Sequence, residues 1–213
     1  MSTRSLASNV TTRFIRCLIG KRRMEKALAR VDPEKTEVQV HYMPYQLDPS
    51  ITGTQPLQTY LNNRFGPAFS RMLVPVRAAG KEFGIEFPFD GVSANTLNAH
   101  RVLTYTSNKL GWEAQLKVLD AIFDAHFERA KDISDPAVLA ACASQGGVAE
   151  ADVITLLEGD DLKAEVARSI SARRNIGGVP NYVIDGKYSI SGAQDPETIC
   201  NVLEDLGVTL LDA

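Results

Sequence analysis

The sequence has no pair of closely spaced cysteines. Its three, Cys17, Cys142 and Cys200, lie far apart among 213 residues. An odd and scattered count argues against a disulfide framework and for reduced thiols, as in a cytoplasmic protein. The three histidines, His41, His100 and His126, have no metal-ligand spacing with one another or with cysteine, so no zinc site is expected. No apolar run is long enough to span a bilayer. Residues 1–16 lack the apolar core of a signal peptide. Thr3, Arg4, Ser5, Thr11, Thr12 and Arg13 have a transit-peptide composition, so organellar targeting stays open. The net charge of −3 gives no reason to expect nucleic acid or an anionic membrane as partner. Internal repeats and low-complexity linkers are absent.

What is present is an ordinary core composition, 44% apolar, in a chain long enough for one domain with a large insertion. Cys17–Arg30 has the pattern of a helix, with Leu18, Met24, Ala27 and Leu28 on one face. Val38, Val40 and Tyr42 alternate with polar residues and predict a half-buried strand. Leu6–Val10 is a weaker, short strand. Residues 55–175 are expected to be helical, with no strand of their own. Helices are predicted over 68–81, 135–143, 150–158 and 162–175. Another carries Ala99, Val102, Leu103, Thr106 and Leu110 inward, and a further one the stripe Trp112, Leu116, Leu119, Phe123 and Phe127. Phe87–Gly91 reads as an aromatic turn. Tyr182–Ile184 and Lys187–Ile190 are strand-forming runs around Asp185-Gly186, whose residues suit the positive-φ positions of a hairpin turn. Asp195-Pro196 then starts a helix that stops at Gly207. Two sequence-distant β pieces have to share one sheet, because neither buries its apolar face alone.

Gly-Val-Pro, a short strand, Asp-Gly, a second strand and Ser-Gly-Ala-Gln resemble the C-terminal half of DsbA-like thioredoxin-superfamily proteins, with the FrnE-like branch nearest. Leu18–Leu28, Tyr45–Pro49, Asn95–Arg101 and Asp132–Asp135 extend that resemblance, in order, over nearly everything after residue 16. It implies an α/β, thioredoxin-like fold with a large α-helical insertion. Residues 1–54 and 176–213 would form the thioredoxin-like part and 55–175 the insert. It also implies a cis Val179–Pro180 bond facing the head of the helix that contains Cys17. The function implied is thiol–disulfide oxidoreduction on a protein or small-molecule thiol, with a homodimer compatible.

The resemblance breaks at the redox motif. Where the family has Cys-Xaa-Xaa-Cys, this chain has Phe14-Ile15-Arg16-Cys17. The attacking cysteine is replaced by Phe14 and only the resolving position, Cys17, remains as a catalytic candidate. An impaired dithiol enzyme is the expectation, with Cys17 a buried thiol and Lys21 and Arg22 placed to favour its thiolate. A wrong start or exon choice upstream of Cys17 would also account for the lost pattern. Two alternatives need no cysteine pair. One is an enzyme like kappa-type glutathione transferase or 2-hydroxychromene-2-carboxylate isomerase, with glutathione as co-substrate. The other is a non-catalytic thiol- or peptide-binding module. The substrate-binding residues carried over are Phe14, Asn95, Val179, Pro180, Gly192, Ala193 and Gln194. No other cofactor is expected. Asn95 also reads as a helix cap, His100 and His126 as packed histidines, and Arg173 as solvated.

Overall fold

The structure, a computed structural model, describes residues 2–12 and 14–211. Arg13 and the outermost limits of the expected thioredoxin-like part, Met1 and Ala213, lie outside them. Strand β1 (Ser2–Val10) leads into helix α1 (Ile15–Leu28), and β2 (Thr36–Pro44) returns beside β1. Then come β3 (Gln55–Pro56), α2 (Leu57–Phe65), α3 (Phe69–Lys81) and β4 (Val92–Ser93). Helices α4 (Leu97–Leu110), α5 (Trp112–Phe123), α6 (Pro136–Ser144), α7 (Glu150–Glu158) and α8 (Lys163–Ala172) follow. The hairpin β5 (Asn181–Ile184) and β6 (Tyr188–Ser191) and helix α9 (Pro196–Asp205) complete the chain.

The sheet runs β2-β1-β5-β6. β1 is parallel to β2, with Leu6 opposite Val40, and antiparallel to β5, with Leu6 opposite Ile184. The short strand expected at Leu6–Val10 is therefore a nine-residue strand at the sheet's centre. It carries Ser8 and Asn9 where both faces are covered, which flattens the apolar alternation that marks a half-exposed strand. Asn9 is held by hydrogen bonds: its amide donates to Asn181 and its oxygen accepts from Arg173 Nε at 2.9 Å. Arg173 is thus half-buried and bonded rather than solvated.

β2 is the sheet edge on its other side, and an unpaired edge exposes backbone groups. Gln115 of α5 meets them: its Oε1 accepts from Tyr42 N at 2.9 Å and its Nε2 donates to Tyr42 O at 3.1 Å. The hairpin turns as its residues demand, with φ of 50° at Asp185 and 69° at Gly186. The Asp185 carboxylate accepts from Arg4 Nη1 at 2.6 Å and so pins the turn to β1.

Residues 55–175 are helical apart from a two-residue antiparallel ladder, Gln55–Pro56 against Val92–Ser93. This corrects the expectation of no strand there. The ladder closes the segment holding α2 and α3, and Leu57 N donates to Gly91 O beside it. The bounds of α3, α6 and α7 match the expected 68–81, 135–143 and 150–158 to within a residue; α8 ends at Ala172 rather than 175, α1 runs over 15–28 rather than 17–30, and α2 was not expected as a separate helix. Leu110 is a second correction: it is 50% exposed, because α4 ends there at Gly111. α4 is fixed to the α7–α8 junction by the buried Arg101. Its guanidinium donates to the carbonyls of Leu156, Gly159 and Asp161.

His100, in the first turn of α4, is buried with Nε2 3.1 Å from Tyr45 O. Burial lowers its pKa from 6.5 to about 4, partly opposed by the Tyr45 contact. The unfolded chain therefore binds a proton between those values that the folded chain excludes, so stability falls as pH drops through 6.5. About 2 kcal/mol should be lost by pH 5. Melting curves from pH 8 to 5 should show this loss, and His100→Gln should flatten it. Equal losses in both proteins would clear His100 of the effect.

Candidate functional site

α1 starts abruptly. Phe14 is its N-cap residue, in extended backbone, and offers no side-chain oxygen to the first N–H groups. No acidic residue lies in the first turn. The positive end of this 14-residue helix thus has no acidic residue in its own first turn.

Cys17 lies one turn in and is 0% exposed. Its N–H donates to Phe14 O at 2.7 Å. Burial pushes its thiol up to about 12, and a hydrogen bond from the Thr11 backbone offsets only part of that. Lys21 does not help the thiolate, contrary to the sequence expectation. Its Nζ is 2.8 Å from the Asp120 carboxylate and is also paired with Glu25. Arg22 is held by the same two acids, at 3.1 Å and 3.2 Å. These cations tie α1 to α5 instead of facing the sulfur. All three cysteines are free and buried. Cys200 lies beside Ala27 O, ten residues further along α1 and so roughly 15 Å from Cys17.

The Val179–Pro180 bond is cis. Pro180 sits on α1 at Gly20, where a Cβ would lie 2.6 Å from Pro180 Cγ and 2.4 Å from Tyr182 Oη. This contact explains a glycine in mid-helix. The next strand end is closed by Gly192 N donating to Pro180 O at 2.8 Å. Ala193 O accepts from Arg23 Nη1 at 2.9 Å, and Gln194 Nε2 donates to Ser191 O at 2.7 Å. Asp195 caps α9 through Thr198 N at 2.9 Å, so that helix end already faces a carboxylate. Asn95 stands apart from this group. Its oxygen accepts from Gln46 and from Leu97 N, and its amide donates to Ile51 O, which makes it a cap for α4 and a tie for the loop after β2.

Beyond Phe14 the head of α1 opens into a cavity of about 240 Å³. Six phenylalanine rings line it: Phe14, Phe65, Phe69, Phe87, Phe89 and Phe127. They come from α1's cap, the α2–α3 junction, the aromatic turn and a π-helical turn (Asp124–Glu128) that extends α5. That turn also brings His126 into the wall, 4.7 Å from Phe127 between ring centroids. Only Phe14 of these was expected at the site. The Phe87–Gly91 run was visible as an aromatic turn, but nothing in it shows which helix it faces.

The family description of the DSBA-like thioredoxin domain matches residues 16–204. The chain belongs to that family. Solved structures agree in fold. A probable DsbA oxidoreductase from Streptomyces coelicolor superposes with a TM-score of 0.84 at 24% identity, covering 99% of this chain and 94% of that one. A 2-hydroxychromene-2-carboxylate isomerase does so at 0.67 and 12%, covering 95% and 94%. The cytosolic disulfide reductase DsbM from Pseudomonas aeruginosa, solved with GSH, does so at 0.60 and 16%, covering 95% and 98%. No curated protein sequence matches significantly. Within the DSBA-like frame, the match begins at Arg16, two residues after Phe14.

Proposed function

We propose that this chain is a DSBA-like protein of the FrnE-like type that keeps the family's cleft but runs no dithiol–disulfide cycle in it. The observation that carries this is the head of α1, with a phenyl ring at residue 14 and one fully buried thiol at residue 17. Exchange needs an attacking thiolate and then a second thiol to resolve the mixed disulfide. Cys17 supplies neither role well. Its thiol is pushed to about 12, and neither it nor Cys142 nor Cys200 is paired with another cysteine. Three unpaired, buried thiols support a reducing compartment such as the cytoplasm.

The cleft's remaining parts suit binding. The cis-proline loop is seated on α1, and the helix start is free of acidic side chains. The experiment is reduction of insulin by dithiothreitol in the presence of the purified chain. The rate should equal the uncatalysed rate. Catalysis by the native chain would overturn the proposal. A thiol ligand such as glutathione, with which the DsbM structure was solved, is a candidate for the same cleft. The Asp195 cap on α9 disfavours seating its carboxylate there.

A further inference from the structure

We propose that β6, the open edge of the sheet, pairs with β6 of a second copy of this chain across a two-fold axis at Ile190. The sheet runs β2-β1-β5-β6, so β6 has a neighbour on one side only. On the opposite edge, Gln115 occupies the backbone groups of Tyr42. Among the described residues β6 has no such cover. Tyr188, Ser189 and Ser191 are exposed, and the strand contains no proline. An edge of this kind is a template for another strand.

The outward groups follow from the ladder. Ser191 lies opposite Asn181, and just past it Gly192 N donates to Pro180 O at 2.8 Å. Hydrogen-bonded and non-hydrogen-bonded pairs alternate along an antiparallel ladder. Tyr188 and Ile190 therefore turn their N–H and C=O groups to β5, and Ser189 and Ser191 turn theirs outward. With Ile190 opposite the partner's Ile190, Ser189 meets the partner's Ser191 and Ser191 meets the partner's Ser189. Each of these pairs exchanges both of its backbone hydrogen bonds. Ser191 O already accepts from Gln194 Nε2 at 2.7 Å and keeps a second lone pair for the partner. Neighbouring registers lose bonds. Centring on Ser189 calls on Lys187 N, which already donates to Ile184 O at 3.0 Å. Centring on Ser191 calls on Ala193, which lies beyond the turn made by Gly192 at φ 82°.

The side chains fit the same register. Tyr188 is 50% exposed, and it falls opposite the partner's Gly192, where no side chain competes for the space. An aromatic ring across from a glycine covers the backbone that the glycine leaves bare. Ile190 meets the partner's Ile190 at a non-hydrogen-bonded pair, where side chains approach closely. The exposed Lys187 comes to the end of the partner's strand that leads to the exposed Asp195, so opposite charges meet at both ends. The two-fold makes every contact twice and closes the pair. Strands of four residues bury little area. The pair is therefore weak, with a dissociation constant on the order of 100 µM.

The test is sedimentation equilibrium of the full chain from micromolar to millimolar concentration. The mass should rise from monomer to dimer and stop there. Ser189→Pro removes an outward N–H from each copy and should weaken the pair at least about tenfold. Should that variant fail to fold by circular dichroism, Tyr188→Ala, at an exposed position, should weaken it severalfold. Val74→Ser changes the most exposed large apolar residue, 68% exposed on α3, and should leave association unchanged. Register is read by oxidation. Ile190→Cys should cross-link to the partner's Cys at the same position, and Ser189→Cys, offset from its own copy, should not. The proposal is overturned if the chain stays monomeric throughout or grows past a dimer. It is equally overturned if folded Ser189→Pro and Tyr188→Ala proteins associate as the native chain does, if Val74→Ser abolishes association, or if Ser189→Cys cross-links as readily as Ile190→Cys.

Discussion

Replacing Phe14 by cysteine should raise the rate of insulin reduction at least about tenfold over the native chain, about 1.4 kcal/mol off the barrier. The change places a thiol at the N-cap of α1, beside first-turn N–H groups in a turn that carries no acidic residue. A thiolate there is stabilised by those N–H groups and by the helix dipole, as the buried Cys17 is not. Residues 14 and 17 are joined across the first turn by the Cys17 N to Phe14 O hydrogen bond of 2.7 Å. A thiol at 14 would therefore lie one turn away from the Cys17 sulfur, close enough for a disulfide to form. Mass spectrometry of the oxidised variant should show the loss of two hydrogens, and insulin turbidity reports the turnover. A variant that oxidises but turns nothing over would mean that the cleft, and not only its chemistry, has changed. One that does not oxidise would mean that Cys17 is too deeply held to resolve a disulfide.

Gly20→Val should destabilise the fold by about 3 kcal/mol or more. In a chain of this size that lowers the thermal midpoint by about 6–12 °C. The reason is local. A Cβ at Gly20 meets Tyr182 Oη at 2.4 Å, Pro180 Cγ at 2.6 Å and Ala193 Cβ at 3.4 Å. None of these can step aside easily. Tyr182 is 1% exposed, and Pro180 is tied to Gly192 through the 2.8 Å bond. Gly53, with nothing within 4 Å of an added Cβ, is the control, and Gly53→Ala should shift stability by no more than about 0.5 kcal/mol. A Gly20→Val protein as stable as the native one would mean that the proline loop is not seated on α1.

Gly20 also shows how unevenly the sequence discloses this molecule. The hairpin was legible because Asp185-Gly186 is a turn with a mechanism, and α9 because Asp195-Pro196 is a cap with one. The glycine in mid-helix has no local explanation, since its cause, Pro180, lies 160 residues away. β1 was understated for a related reason. Ser5, Ala7, Ser8 and Asn9 do not alternate, yet the strand is central because β2 and β5 flank it on both sides. A buried polar residue such as Asn9 looks like loop until Asn181 and Arg173 are seen beside it.

The site divides in the same way. Phe14 and Cys17 were marked by the family resemblance, which places the expected Cys-Xaa-Xaa-Cys over Phe14-Ile15-Arg16-Cys17. The rest of the cavity could not be read. Phe65, Phe69, Phe87, Phe89 and Phe127 belong to four elements, and only the folded chain brings them opposite Phe14. Asn95 was carried over with the motif around it, and its hydrogen bonds are spent on the loop after β2 and the start of α4.

The most direct measurement of the central claim is the alkylation rate of Cys17 in the folded chain, followed by mass spectrometry with iodoacetamide between pH 7 and 9. With 0% exposure and a thiol pushed up to about 12, Cys17 should stay unmodified in native buffer and react only in denaturant. Rapid, stoichiometric modification of Cys17 at pH 7 in the folded protein would contradict the account, because it would show an accessible thiolate where a buried thiol is described.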